Sequence, residues 1–190
     1  MGLQAESEMP RGEPEGLARR FCRERSGATA IEFAILALPF FLVLFAILET
    51  SLSLVAQQLM TSATEDVARQ FRTGQLRAGD LTAESVRDRL CERMGLLFPS
   101  NCPGLRVDLQ SFRTFAEAAA VFDGPVVPEQ FRFDPGEAEE KNVLRVFYFW
   151  PVITDIMRES MSNLPDGNTL LFATQTWQNE PFTPPVSQNE

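Results

Sequence analysis

The sequence predicts an α+β chain in which a long N-terminal membrane-spanning helix precedes a small head, an antiparallel sheet of about three strands packed by helices. Three observations predict it. Ala34 to Leu48 is an uncharged run of fifteen residues within a longer apolar stretch. Leu54 to Arg72 continues without Gly or Pro and repeats apolar residues in steps of four, the spacing of one helix face. Beyond that helix, strand-like runs at 105–110, 143–150 and 169–178 are separated by turn-forming Pro, Gly, Asn and Asp.

Residues 1–27 read as a leader whose first eighteen residues are acidic and contain Gly and Pro, with Met9 as a second candidate initiator. Arg19, Arg20, Arg23 and Arg25 then precede the apolar run, opposed only by Glu24. Residues 28–55 read as the transmembrane part of the helix, long enough for a hydrocarbon core of about 30 Å at about 1.5 Å per residue. A cleaved secretory signal is the competing reading. The run from Phe33 to Leu48 is longer than the roughly 7–15 residues of a signal's apolar region, and no small-x-small site closes it, although Ser51 to Ala56 holds small residues. Pro39 removes one backbone donor and predicts a kink near 35–39, tolerable where neighbouring helices satisfy the freed carbonyl.

The stripe Leu59, Ala63, Val67 and Phe71 extends the helix to about Thr73, with Gly74 as its C-cap. One helix from Ala28 to Thr73 would measure about 70 Å, half in the membrane and half packing a head. A second helix is expected over 81–98, with Thr82 as N-cap and Val86, Leu90, Met94 and Leu97 on one face. Leu105, Val107 and Leu109 alternate with polar residues and predict a half-buried strand. Residues 114–142 read as a loop with a short helix at 115–121. The apolar run Val143 to Trp150 predicts a central strand, 153–161 a helix, Pro165 to Asn168 a turn and 169–178 a third strand. The head thus occupies 56–182, and Pro184 and Pro185 sit in a polar tail, 183–190, expected to be disordered.

Charge sets the orientation and removes one class of partner. The net charge is −9, and residues 56–190 carry twelve basic and nineteen acidic side chains. Basic before the span and acidic after it places the amino terminus inside. An acidic head lacks the clustered basic surface that phosphate binding requires, so nucleic acid is excluded as partner.

The most informative residue is Glu32, near the mouth of the apolar stretch and fifth in line from Ala28. A carboxylate inside a span costs about 2.5–3.5 kcal/mol on insertion scales and is usually retained for a purpose. Were the chain cut after Gly27, the new ammonium of Ala28 would lie four residues away on the same face, about 6 Å along the axis. Glu32 would neutralise that ammonium, or a neighbouring subunit's; a solvated place in the headgroup zone is the plain alternative. Glu49, at the other end of the run, reads as an interfacial residue.

Gly27-Ala28-Thr29-Ala30-Ile31-Glu32-Phe33 after a basic leader, Arg72-Thr73-Gly74-Gln75 after the long helix, the aromatic run ending in Trp150-Pro151, and Trp177 to Phe182 together give the chain its family likeness. It resembles the TadE-like pseudopilins of the tight-adherence pilus assembly family. The resemblance implies a pilin-like fold, cleavage between Gly27 and Ala28 by a prepilin peptidase, and assembly through Glu32 and Phe33. The partners it implies are that peptidase, other pseudopilins and pilins, and the inner-membrane assembly platform. It also implies a single-pass protein of the bacterial inner membrane with a periplasmic head. An unprocessed, signal-anchored scaffold or binding protein of the cell envelope is the alternative.

Cysteine usage agrees with export. Cys91 and Cys102 flank the Pro99-Ser100-Asn101 turn and would form a disulfide outside the cytoplasm, worth about 3 kcal/mol on the chain-entropy model. Cys22 would leave with the leader. Unpaired buried thiols are the other reading, and without any His two cysteines make a poor zinc site. The same lack of His removes Ser-His and Cys-His relays. Glu137, Glu139 and Glu140 read as a solvated face, with a lone Ca²⁺ contact conceivable, and nothing singles out the carboxylate pair of a glycan hydrolase. A receptor head would need a cytoplasmic domain, and some 27 residues inside are too few. The sequence therefore points to a protein that assembles, without cofactor or catalysis.

Overall fold

The computed structural model describes residues 25–76, 81–154, 158–159 and 162–181. The first 24 residues with Cys22, most of the expected 153–161 helix and the tail at 183–190 therefore lie wholly or partly outside the described residues. By its contacts the chain divides into two units, one ending at Phe45 and one running from Ala46.

Helix α1, Arg25–Arg72, continues through Pro39. Within the second unit its face of Ala56, Met60, Ala63, Thr64, Val67, Ala68 and Phe71 is buried. Three of the four stripe residues expected from sequence lie on that face, and Leu59 packs against it half-buried. The helix stops as the sequence predicts. Gly74 takes φ 71°, and its N–H donates to Phe71 O at 3.0 Å while Gln75 N–H reaches Gln70 O at 3.0 Å. Those bonds satisfy carbonyls that the helix end orphans.

Helix α2, Ala83–Met94, begins at Thr82, whose hydroxyl accepts from Ser85 N–H while the Ser85 hydroxyl accepts from Thr82 N–H. It is shorter than the expected 81–98. Gly95 at φ 66° ends the α-helix, and Gly95–Leu97 form a single 3₁₀ turn. Strand β1 (Leu105–Phe112), helix α3 (Phe115–Ala119), strand β2 (Lys141–Pro151) and strand β3 (Asn168–Gln178) complete the head. Thr114 caps α3 by accepting from Glu117 N–H.

The sheet is antiparallel in the order β1-β2-β3, with Val107 opposite Val146 and Val146 opposite Ala173. One face, Leu105, Val107, Leu109, Leu144, Val146, Tyr148, Trp150, Leu171, Ala173 and Trp177, forms one core with α1 and with Val86, Leu90 and Met94 of α2. On the opposite face Phe147 stacks with Phe172 at 5.4 Å and meets Phe131 at 5.9 Å. Burial on both faces explains why β2 reads as an unbroken apolar run. Leu109 N–H donates to Arg132 O at 2.9 Å, and Asp134 N–H donates to Leu109 O at 2.8 Å. The returning loop thereby covers the outer edge of β1. The turn before β3 closes through Gly167 N–H to Leu164 O at 3.1 Å, with Gly167 at φ 80°.

Candidate assembly surface

From Ile31 to Val55 nearly every large side chain of α1 is exposed, among them Phe33 at 71% and Leu36 at 70%. The helix is long and apolar enough to cross a membrane, and none of its most apolar window is buried. Burial inside the protein therefore does not account for this surface, and hydrocarbon is the solvent it suits. Phe40, Phe41 and Phe45 form a short aromatic series along it. Ala34 is exposed and Ala37 half-buried.

Glu32 is exposed on this helix. Gly27 lies in the helix two residues after its start, and a Cβ placed there would meet nothing within 4 Å. The fold therefore does not ask for glycine at 27, although glycine in a helix costs about 1 kcal/mol relative to Ala.

At the other end of the run Glu49, read from the sequence as an interfacial residue, is held by the head. It is only 4% exposed. Its carboxylate accepts from Ile153 N–H at 2.6 Å and from Thr154 N–H at 3.3 Å. About two turns further along, Gln57 reaches β3: its Nε2 donates to Phe172 O at 2.8 Å, and its Oε1 accepts from Phe172 N–H at 3.2 Å. The helix is thus tied to β3 and to the segment just after β2 by two side chains that use backbone partners. A third tie closes the far end. Trp177 stacks on Phe71 with ring centroids 6.3 Å apart, and its indole N–H donates to Asn179 Oδ1 at 2.8 Å. Asn179 Nδ2 donates to Glu137 O at 2.8 Å, and Glu180 N–H donates to Arg72 O at 2.9 Å.

Sequence reading missed the Glu49 and Gln57 contacts, whose partners lie 104 and 115 residues away. A usable signal for Glu49 was present all the same: a second carboxylate directly after fifteen uncharged residues calls for a partner as much as Glu32 does.

Cys91 and Cys102 are bonded, with Cα atoms 5.8 Å apart, and link the end of α2 to the turn before β1. Glu137, Glu139 and Glu140 do not converge on a cation. Glu140 instead accepts from Glu137 N–H at 2.9 Å, and among the described residues no acidic or cysteine cluster could hold a metal. An open depression of about 410 Å³ is lined by Gln110, Arg132 and Arg145. Arg145 is committed there to Asp108 at 2.8 Å. Among the described residues, the exposed apolar length of α1 that bears Glu32 is the surface left for function.

Residues 27–69 match the model of the TadE-like protein family. The match begins at Gly27, takes in most of α1 and covers 43 of the chain's 190 residues. Neither the curated proteins nor the solved structures contain a match to the chain.

Proposed function

We propose that this TadE-like chain is a minor pseudopilin of a tight-adherence pilus, cut between Gly27 and Ala28 by a prepilin peptidase and working by assembly with other pilus subunits. In this reading it spans the inner membrane once, amino terminus in the cytoplasm and head in the periplasm, and meets the inner-membrane assembly platform through the span.

The observation that carries the reading is Glu32, an exposed carboxylate on an apolar helix, five residues beyond a glycine that the fold does not need. A charge exposed to lipid is unfavourable unless it is paired. Cleavage after Gly27 creates an ammonium at Ala28, one helical turn from Glu32 on the same face. Within one subunit, or between staggered neighbours, that ammonium would offset the cost of the carboxylate. Phe33 beside it, 71% exposed, supplies apolar area for helix–helix contact. The half-buried Ala37 and Ala46 leave room for close approach.

Intact mass and amino-terminal sequencing of the protein from its native membrane, with and without active prepilin peptidase, tests the processing. A new terminus at Ala28 that depends on the peptidase is expected. The same uncut terminus under both conditions would leave a signal-anchored scaffold. For assembly, Glu32→Ala is expected to insert and be cleaved normally yet fail to co-purify with pilus subunits. Pilus formation at wild-type levels by that variant would remove Glu32 from the mechanism.

A further inference from the structure

We propose that the end of the head bearing Ile153 is immersed in the membrane interface, and that Glu49 is the buried latch holding it there. The inference rests on the anchor reading above and adds a second contact between protein and lipid.

Depth comes first. Counting from Phe33, about 30 Å of hydrocarbon at about 1.5 Å per residue is used up about twenty residues later, one turn beyond Glu49. Glu49, Thr50 and Ser51 therefore fall inside the apolar layer, where polar groups must be satisfied by the protein itself. The structure satisfies them. Glu49 takes the backbone N–H groups of Ile153 and Thr154. The Thr50 hydroxyl donates to Ala46 O at 2.8 Å, and the Ser51 hydroxyl donates to Ile47 O at 2.7 Å.

The large exposed side chains around these groups are apolar. Ile47, Leu48, Leu52, Leu54 and Val55 are all exposed. The first amide side chains mark where this collar stops: Gln57 binds β3, and Gln58 is exposed. Ile153 belongs to the collar. Its own N–H is the one held by Glu49 at 2.6 Å, which fixes it at that level of the helix, and its side chain is 68% exposed. Because the collar continues the apolar surface of the membrane-span candidate, the occupant it fits is the same bilayer.

The test uses the full chain in vesicles of phosphatidylethanolamine and phosphatidylglycerol, with Cys22→Ser to leave one labelling site. A nitroxide is placed at Ile153→Cys, at Leu44→Cys as a reference in the span and at Arg113→Cys as a reference on the distant head. Relaxation by oxygen reports lipid, and relaxation by a water-soluble nickel chelate reports solvent. At 153 the ratio of oxygen to nickel accessibility is expected to exceed that at 113 several-fold. A water-like ratio at 153 beside a lipid-like one at 44 overturns the immersion, and a water-like ratio at 44 overturns the anchor itself. Spin–spin broadening at 153 that vanishes on dilution with unlabelled protein would mean that a second copy covers the site, and would overturn the lipid assignment. Glu49→Gln is expected to move the ratio at 153 towards that at 113 while Cys91 and Cys102 still pair. An unchanged ratio in that variant overturns the latch, and the readout in the chain with Glu49 intact holds however the variant folds.

Discussion

Asp108 and Arg145 form the one strongly buried ion pair among the described residues, with side chains 0% and 5% exposed. Asp108 Oδ2 accepts from Arg145 Nε and Nη2 at 3.0 and 2.8 Å and from Gln110 at 2.9 Å, while Oδ1 accepts from Arg132 N–H at 2.8 Å. The pair is better regarded as a fixture of register and loop docking than as a source of stability, because desolvation offsets most of the attraction. Losing one partner is another matter, since a buried guanidinium is left unpaired. Asp108→Ala is expected to cost about 3–5 kcal/mol in thermal unfolding, and Asp108→Leu with Arg145→Met less than the single change. Tyr148 permits a sharper check, because it is the sole tyrosine in the chain. Burial raises its phenol above the usual 10.0. The folded protein then holds that proton more tightly than the unfolded chain does. The stabilisation is fully present below the unfolded value, about 10, and is lost as pH rises through the folded one. Phenolate absorbance of the native protein should accordingly appear at higher pH than in denaturant; coincident titrations would mean that Tyr148 is solvated.

Among the elements, those specified by local pattern were legible in the sequence and those specified by pairing were not. The alternation of Leu105, Val107 and Leu109 gave β1, and the unbroken apolar run gave β2, since a strand buried on both faces has no polar side to show. Local pattern did not predict that β2 would begin at Lys141 and Asn142. They join it because they lie opposite Gln178 and Trp177, a matter of register. Capping by Thr82 and Gly74 was legible because it is chemistry within one turn. Glu49 and Gln57 were not, because nothing near them in the chain announces a backbone group more than a hundred residues away. The disulfide was legible from spacing, and it secures a turn in which Asn101 and Cys102 take positive φ, 75° and 38°. Non-glycine residues there cost about 1–3 kcal/mol each. Reduction, or Cys91→Ser with Cys102→Ser, is expected to destabilise the head by about 3 kcal/mol. Chemical denaturation of the oxidised and reduced protein measures it, and equal midpoints would show that the turn holds without the bond.

At the scale of the whole molecule, one helix contributes to two units. The part of α1 ending at Phe45 belongs to one unit and the part from Ala46 to the other. In the second unit Ala56, Met60, Val67 and Phe71 are as much core as the sheet they touch. The helix is therefore not a tether on a finished domain, because its second half supplies one side of the head's only large core among the described residues. Two truncations separate these roles. A chain beginning at Ala46 retains every residue of that core and the Glu49 and Gln57 ties. In mild detergent it should fold with the Cys91–Cys102 bond formed and a midpoint within about 4 °C of the full chain, equivalent to about 1 kcal/mol. A chain beginning at Gly74 leaves one face of the sheet uncovered, losing among much else the Phe71 ring against Trp177. Removing a single buried Phe costs about 3–5 kcal/mol, against a total stability of about 5–15. That shorter chain should not fold, and a cooperative thermal transition from it would show that the head does not depend on α1.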